Sequence, residues 1–442
     1  MTYCGSRIPG GSLRAVFTGM MRKGAVRSRR KNTPDHFRRD KGVSRDCMRQ
    51  PDPKPDFQME EPSVESLKIA MFCWESLYAE RVGGLAPAAT HLAETLAQYH
   101  EVHFFTRGQV PDQTINNVSY HYCQPQGTNI VEYCNSMSFG MVENFHRFDT
   151  GRKFDYLHFH DWHPVQALHI LKDRNTILTF HSTEYGRSGN HFGDWWEFKE
   201  ISGKEWYGGL IAKRVTSVSA TLKQEVMQLY NVPDWKCDVV PNGIVPQQYR
   251  AEINAAEVKQ SYGILPTDPL ILFIGRLAYQ KGPDLLIEAL RKVCSEHRDA
   301  KLIVAGEGDM RQVLVERASN LPVNFIGYIP DSEYIRLLNA CDLVVIPSRN
   351  EPFGLVLLEA WSAEKGVVAS NVGGLSENID SFIDGVKVEP QAETLAEGIN
   401  AVIGKPQQAG ALGKRGRKKI DRMFLWGQIG GKMTETYSRV VA

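Results

Sequence analysis

At 442 residues, the chain is longer than one hydrophobic core usually organises. With 42% hydrophobic residues, 23% charged residues and a mean hydropathy of −0.33, it reads as a globular protein of about two domains with no transmembrane segment. A net charge of +1 hides an asymmetry: residues 1–54 hold fourteen Lys/Arg against four Asp/Glu, so the other 388 residues sum to about −9.

The basic segment "RKGAVRSRRKNTPDHFRRDK" lacks aromatic interleaving, heptads and amphipathic spacing, and no apolar signal core follows it. Residues 1–66 are therefore expected to form a disordered tail, or an extension upstream of a natural start at Met59, and no nucleic-acid partner is expected. The eight cysteines form no CxxC and no close pairs, which suits a reducing cytoplasm and argues against a metal cluster.

From Ser66 the pattern becomes short apolar runs alternating with helical stretches. Strands are expected at 66–74, 101–107, 118–123, 156–161, 176–182 and 215–220. Helices are expected at 84–99, 128–147, 164–173, 196–213 and 221–230. After "VVPNGI" and a polar stretch at 245–268 the alternation restarts, with strands in "LILFIGRL", "AKLIVAGEG", "VNFIGYI", "DLVVIPS" and "GVVASNVGG". Helices at about 390–402 and 409–438 close the chain and are expected to pack across both domains. The fold class is α/β, with two doubly wound parallel sheets covered on both faces. The expected domains are 67–243 and 244–416, with 417–442 returning as a helix across them. Ligands of such sheets bind outside the carboxyl ends of the strands, so two facing sheets make a cleft.

Those strand ends carry the chemistry. "FIGRLAYQKG" supplies Gly275, Arg276, Gln280, Lys281 and Gly282, where two cations five apart across a loop can clamp a diphosphate. The bland alternative is a solvated loop with two exposed cations. "RNEPFGLVLLEA" sets Glu351 and Glu359 eight positions apart, roughly 12 Å along a helix and about the reach of a sugar, a diphosphate and a ribose. Its helix start near Gly354 and Leu355 offers amides to phosphate. Read alone, these are equally a dipole-complementing acid and an ordinary helix glutamate. Gly373 and Gly374 mark another helix start, and Tyr328 lies in a turn where a flat base could sit.

On the N-terminal side "ERVGGLAPA" supplies Arg81, Gly83 and Gly84, but neither GxGxxG nor the P-loop pattern. "HFHDWH" sets His158, His160, Asp161 and His163 at a strand end without the spacing of a zinc site. "FHSTEYGRSGN" contributes His181, Thr183, Glu184, Arg187 and Asn190.

"FIGRLAYQKG", "EPFGLVLLEA" and "SNVGGLSE" resemble the donor domain of GT-B glycosyltransferases of family 4. "RVGGL", "HFHDWH" and "TFHSTEYG" resemble the N-terminal half of family 5 glycogen and starch synthases. The resemblance covers about residues 67–440 and implies two Rossmann-like domains facing a cleft. It implies that Arg276 and Lys281 hold the donor diphosphate and that Glu359 takes the ribose hydroxyls. Glu351 is implied near the transferred sugar, with the amides of Phe353, Gly354 and Leu355 beside it. His181 is implied at the sugar's 6-hydroxyl, Asp161 on the acceptor side, and the Gly83–Gly84 loop near the phosphates. The implied activity is retaining, metal-independent transfer from a nucleotide sugar such as ADP- or UDP-glucose to a glucan or other carbohydrate acceptor. One departure stands out: the family 5 enzymes carry Lys-x-Gly-Gly-Leu where this chain has Arg81. A family 4 transferase acting on a lipid, protein or small sugar, and a sugar-nucleotide binder without catalysis, are the rival readings.

Overall fold

A run such as Lys68–Phe72, buried at every position, cannot sit on a half-exposed sheet and must lie inside a parallel one. The computed structural model describes residues 66–441; the expectation for the basic tail falls on residues outside these. In the first sheet the strands are β1 (Lys68–Phe72), β2 (Glu101–Arg107), β3 (Gln113–Ile115), β4 (Val118–Cys123), β5 (Tyr156–His160), β6 (Thr176–Phe180), β7 (Arg214–Ser217) and β8 (Cys237–Val239). Their order is β3-β4-β2-β1-β5-β6-β7-β8, parallel except for the β3–β4 pair. The second sheet holds β9 (Leu270–Ile274), β10 (Lys301–Ala305), β11 (Val323–Gly327), β12 (Leu343–Ile346), β13 (Gly366–Ser370) and β14 (Val386–Val388). Its order, β11-β10-β9-β12-β13-β14, is parallel throughout.

Each sheet reverses its strand order once, at β1/β5 in the first and β9/β12 in the second. A reversal opens a crevice at the carboxyl ends of the two central strands, because their following connections leave in opposite directions. The loops after β1, β5, β9 and β12 carry Gly83, Asp161, Arg276 with Lys281, and Glu351 respectively. Topology alone therefore gathers the candidate residues.

Past the last strand the expectation of one helix over 409–438 needs correction: there are two, Pro406–Met423 and Trp426–Val441. The break has no proline or glycine. Its cause is long-range, since the Phe424 carbonyl accepts the Ile244 amide at 2.8 Å and Leu425 bridges Ile244. The second helix then lies on the first sheet, where Tyr437 stacks on Tyr156 with ring centroids 5.1 Å apart.

Candidate active site

The second sheet's half of the cleft is built from two stitched loops. After β9 the chain passes Gly275 and Arg276, buries Leu277, makes a single turn over Tyr279–Lys281 and enters the helix Pro283–Glu296 through Gly282. Gly282 has φ of +63°, and a Cβ there would collide with the Pro347 carbonyl, so a side chain at this position would push the two loops apart. Lys281 Nζ donates to Glu351 Oε2 at 2.8 Å, and Ser348 Oγ donates to the same oxygen at 3.0 Å. Arg276 donates from Nη2 to Gln280 Oε1 at 3.0 Å, while the Gln280 carbonyl accepts the Arg349 amide at 2.8 Å. Arg349 is itself pinned by two hydrogen bonds to Asp284, at 2.8 and 2.7 Å, and lies over the Tyr279 ring.

Gly354, with φ of +96°, turns the chain into the helix Leu355–Ser362, where the sequence places the helix start. The amides of Phe353 and Gly354 donate to no protein group among the described residues. Behind them, the Gly374 amide donates to the Glu351 carbonyl at 2.8 Å. Glu359 faces a different set of groups, accepting from the Tyr334 hydroxyl at 2.5 Å and the Tyr249 hydroxyl at 3.4 Å. Burial raises its pKa against the opposing pull of both tyrosines. Tyr328 stands on the rim, 79% exposed.

Across the cleft, the buried carboxylate of Glu75 accepts the amides of Val82 and Gly83, the latter at 3.0 Å. The Gly83 amide is thus engaged within the chain, and the helix beginning at Leu85 follows directly after Gly84. Arg81 reaches the other domain, with Nη1 2.7 Å from Asp331 Oδ2. Asp161 has φ of +58°, a strained value for a non-glycine residue, and its Oδ1 accepts the His181 amide at 2.7 Å. His181 Nε2 lies 3.0 Å from His160 Nδ1. Arg187 is held by Glu184 (2.9 Å), Ser182 (2.6 Å) and Glu205 (2.5 Å). Burial, then the Arg187 charge, pulls the pKa of Arg276 down, which places the two guanidinium groups in one electrostatic neighbourhood. Asn350 joins the domains, donating from Nδ2 to Asn190 Oδ1 at 2.8 Å.

A pocket of about 410 Å³ opens at the ends of β1, β2 and β4, lined by Trp74, Arg107, Thr128, Asn129 and Tyr133 among others. The structure therefore unites Arg276, Lys281 and Glu351 as one cluster and Asp161 with His181 as a second. Glu359 sits apart with its tyrosines. Glu75, Tyr249, Tyr334 and Asn350 were not foreseen: the last three act through partners 25 to 160 positions away, and Glu75 acts through backbone amides of its own loop, which no side-chain motif marks.

Two parallel-sheet α/β domains facing each other across a cleft, with cations and free helix-start amides on one wall, define the GT-B class of glycosyltransferases. Residues 82–248 match the model of Glycosyltransferase Family 4, and residues 254–419 that of Glycosyl transferases group 1. The chain belongs to this family. An uncharacterized glycosyltransferase of Methanocaldococcus jannaschii is 34% identical over 388 residues, covering 84% of this chain and 98% of the relative. A glycogen synthase of Mycobacterium tuberculosis is 27% identical over 420 residues, covering 84% and 94%. Among solved structures, sucrose-phosphate synthase from Thermosynechococcus elongatus superposes with a TM-score of 0.70 at 21% identity, covering 85% of this chain and 99% of that one. The catalytic domain of starch synthase IV from Arabidopsis thaliana gives 0.64 at 17% identity, covering 85% and 99%. Among the described residues no helix is long and apolar enough to cross a membrane.

Proposed function

We propose that the protein transfers glucose from ADP- or UDP-glucose to the non-reducing end of an α-1,4-glucan, with retention of configuration, in the cytoplasm and without a metal. The observation that carries this reading is the contact of Lys281 with Glu351, beside Arg276 and two free backbone amides. As the C1–O bond to the diphosphate lengthens, positive charge grows on the sugar and negative charge on the leaving group. Glu351 favours the first; Arg276, Lys281 and the amides favour the second. The acceptor hydroxyl then bonds to C1 on the face the diphosphate leaves. Its proton passes to a departing phosphate oxygen, so no protein nucleophile is needed. Asp161 and the pocket by Trp74 and Tyr133 form the acceptor side. The glucan acceptor is favoured by similarity to a glycogen synthase over 84% of this chain and 94% of that one.

The test is nucleotide diphosphate release from a panel of sugar nucleotides, with and without glycogen and with and without EDTA. Release that requires glycogen and ignores EDTA is expected. Lys281→Ala and Arg276→Ala should each cut turnover roughly 100-fold or more, as loss of a preorganised donor to developing charge does. Near-normal turnover in both variants defeats the reading.

A further inference from the structure

Three histidines crowd the first wall of the cleft, and their hydrogen bonds are not interchangeable. His160 is fully buried, its ring stacked on His158 with centroids 4.2 Å apart. His158 is fixed from both sides, Nδ1 lying 2.9 Å from the Tyr437 hydroxyl and Nε2 2.6 Å from the Thr179 hydroxyl. Strand alternation puts His160 on the same face, under the helix that carries Ile429, Met433 and Tyr437. Its Nδ1 lies 3.0 Å from His181 Nε2, and its Nε2 meets no protein partner.

Burial, with the neighbouring imidazoles of His158 and His181 added for His160, lowers the pKa of both His160 and His181 and keeps the pair neutral near pH 7. Two neutral rings joined by one N···N contact hold a single proton in it. Were that proton on His181, His160 would have to carry its own on the buried Nε2. An N–H buried without an acceptor costs roughly 1–3 kcal/mol, and such orphaned donors are rarer than bare acceptors. With the proton on His160 Nδ1 the donor is satisfied, and His181 accepts at Nε2. His181 must then carry its proton on Nδ1, which bonds to nothing else among the described residues.

We propose that His160 is a positioning residue that fixes the tautomer of His181, so that His181 presents Nδ1–H to the cleft and donates to a hydroxyl of the transferred sugar. The second half rests on the reading of His181 beside the donor sugar given above. Tyr437, Thr179 and His158 form the scaffold that keeps the His160 ring in register.

Histidine-selective ¹⁵N labelling of the full chain, read by NMR near pH 8, tests the tautomer with no substrate present. His181 should show a protonated Nδ1 and an unprotonated Nε2. Asparagine can place an N–H where Nδ1 stood, so His160→Asn should preserve that state, whereas His160→Phe should leave His181 a mixture. In turnover, the wild type and His160→Asn should prefer the natural donor over its 6-deoxy analogue by about five- to tenfold, the worth of one hydrogen bond. His160→Phe should lose most of that preference. A wild-type His181 protonated on Nε2 overturns the tautomer assignment. The expected tautomer combined with equal use of the two donors overturns only its placement at the sugar, and leaves glycosyl transfer itself to be judged by diphosphate release.

Discussion

Replacing Gly373 with alanine tests whether the placement of Glu351 sets the rate. Gly373 has φ of +49°, and a Cβ built there would lie 2.0 Å from the carbonyl oxygen of Glu351 and 2.8 Å from its carbonyl carbon. Comfortable non-bonded separations are about 3.5 Å, so the Glu351 peptide must retreat by roughly 1.5 Å. A left-handed backbone adds about 1–2 kcal/mol for a residue with a Cβ. Stretching the hydrogen bond from the Gly374 amide to that carbonyl adds about 0.5–1.5 kcal/mol. A stability loss of about 2–3 kcal/mol follows, a drop of several degrees in Tm. The kinetic effect is larger, because a 1 Å misplacement of a reacting group costs on the order of 100-fold in turnover. The assay is diphosphate release at saturating donor, alongside thermal unfolding. Gly410→Ala is the matched control: it lies in the helix Pro406–Met423 and a Cβ there meets nothing within 4 Å. It should gain up to about 1 kcal/mol and leave turnover unchanged. Turnover within about threefold of wild type in Gly373→Ala, with an unchanged Tm, refutes the reasoning that ties rate to the position of Glu351.

Asn350→Ala removes the 2.8 Å contact to Asn190 across the cleft, and kcat/KM should fall about two- to tenfold; an unchanged value means that the contact contributes nothing to turnover. His158 and His160 are buried and His163 half-buried, and desolvation lowers the pKa of each below that of an unfolded-chain histidine, His158 to about 3. Their stabilisation is therefore complete above about pH 6.5 and is lost as the pH falls below it, by up to roughly 1.4 kcal/mol per histidine at pH 5.5. Urea midpoints that are flat from pH 7.5 to 5.5 contradict this. Tyr334→Phe deletes the 2.5 Å hydrogen bond that opposes the burial of Glu359. The Glu359 pKa should rise further, so calorimetric affinity for the nucleotide diphosphate should weaken on acidification from a higher pH than in the wild type. Identical pH profiles argue against contact between Glu359 and the ribose.

The strands were legible where β-branched and aromatic residues cluster between turns: 101–107 and 118–123 stand in the structure with those bounds, although both carry polar residues. The three-residue strands β3, β8 and β14 were not, since none is long enough to show a period and β3 carries a largely exposed "QTI". The helix break at Phe424 was hidden for another reason, because the linker residue Ile244 causes it from afar. At the site, the motif residues and turn glycines were legible as strand-end clusters and helix starts, and their roles came from the resemblance. Their partners were not legible. Lys281 meets Glu351 seventy positions on, and Asn350 meets Asn190 from 160 positions away. The short signal "RVGGL" sets Arg81 where the family 5 enzymes carry a lysine, and its guanidinium meets Asp331 of the facing domain. Arginine's longer, planar fork permits that reach where an ammonium is a point charge.

Four charged groups of the cleft already have protein partners: Lys281 has Glu351, Arg276 has Gln280, Glu359 has two tyrosines, and Glu75 has the amides of its own loop. The reason is energetic, since a charge buried without compensation costs several kcal/mol. A consequence follows for binding. A diphosphate entering beside Lys281, whose side chain is 24% exposed, draws on an ammonium that Glu351 already holds, so the gain is the difference between two pairings and not a whole ion pair. That difference grows as the leaving group gains charge. Under the proposed function, the same contact that limits ground-state affinity directs the strength of Lys281 toward the transition state. Under the proposed function the two glutamates divide the donor accordingly: Glu359, eight residues along the helix and held by tyrosines, is assigned to binding, and Glu351, held by the lysine, to the chemical step.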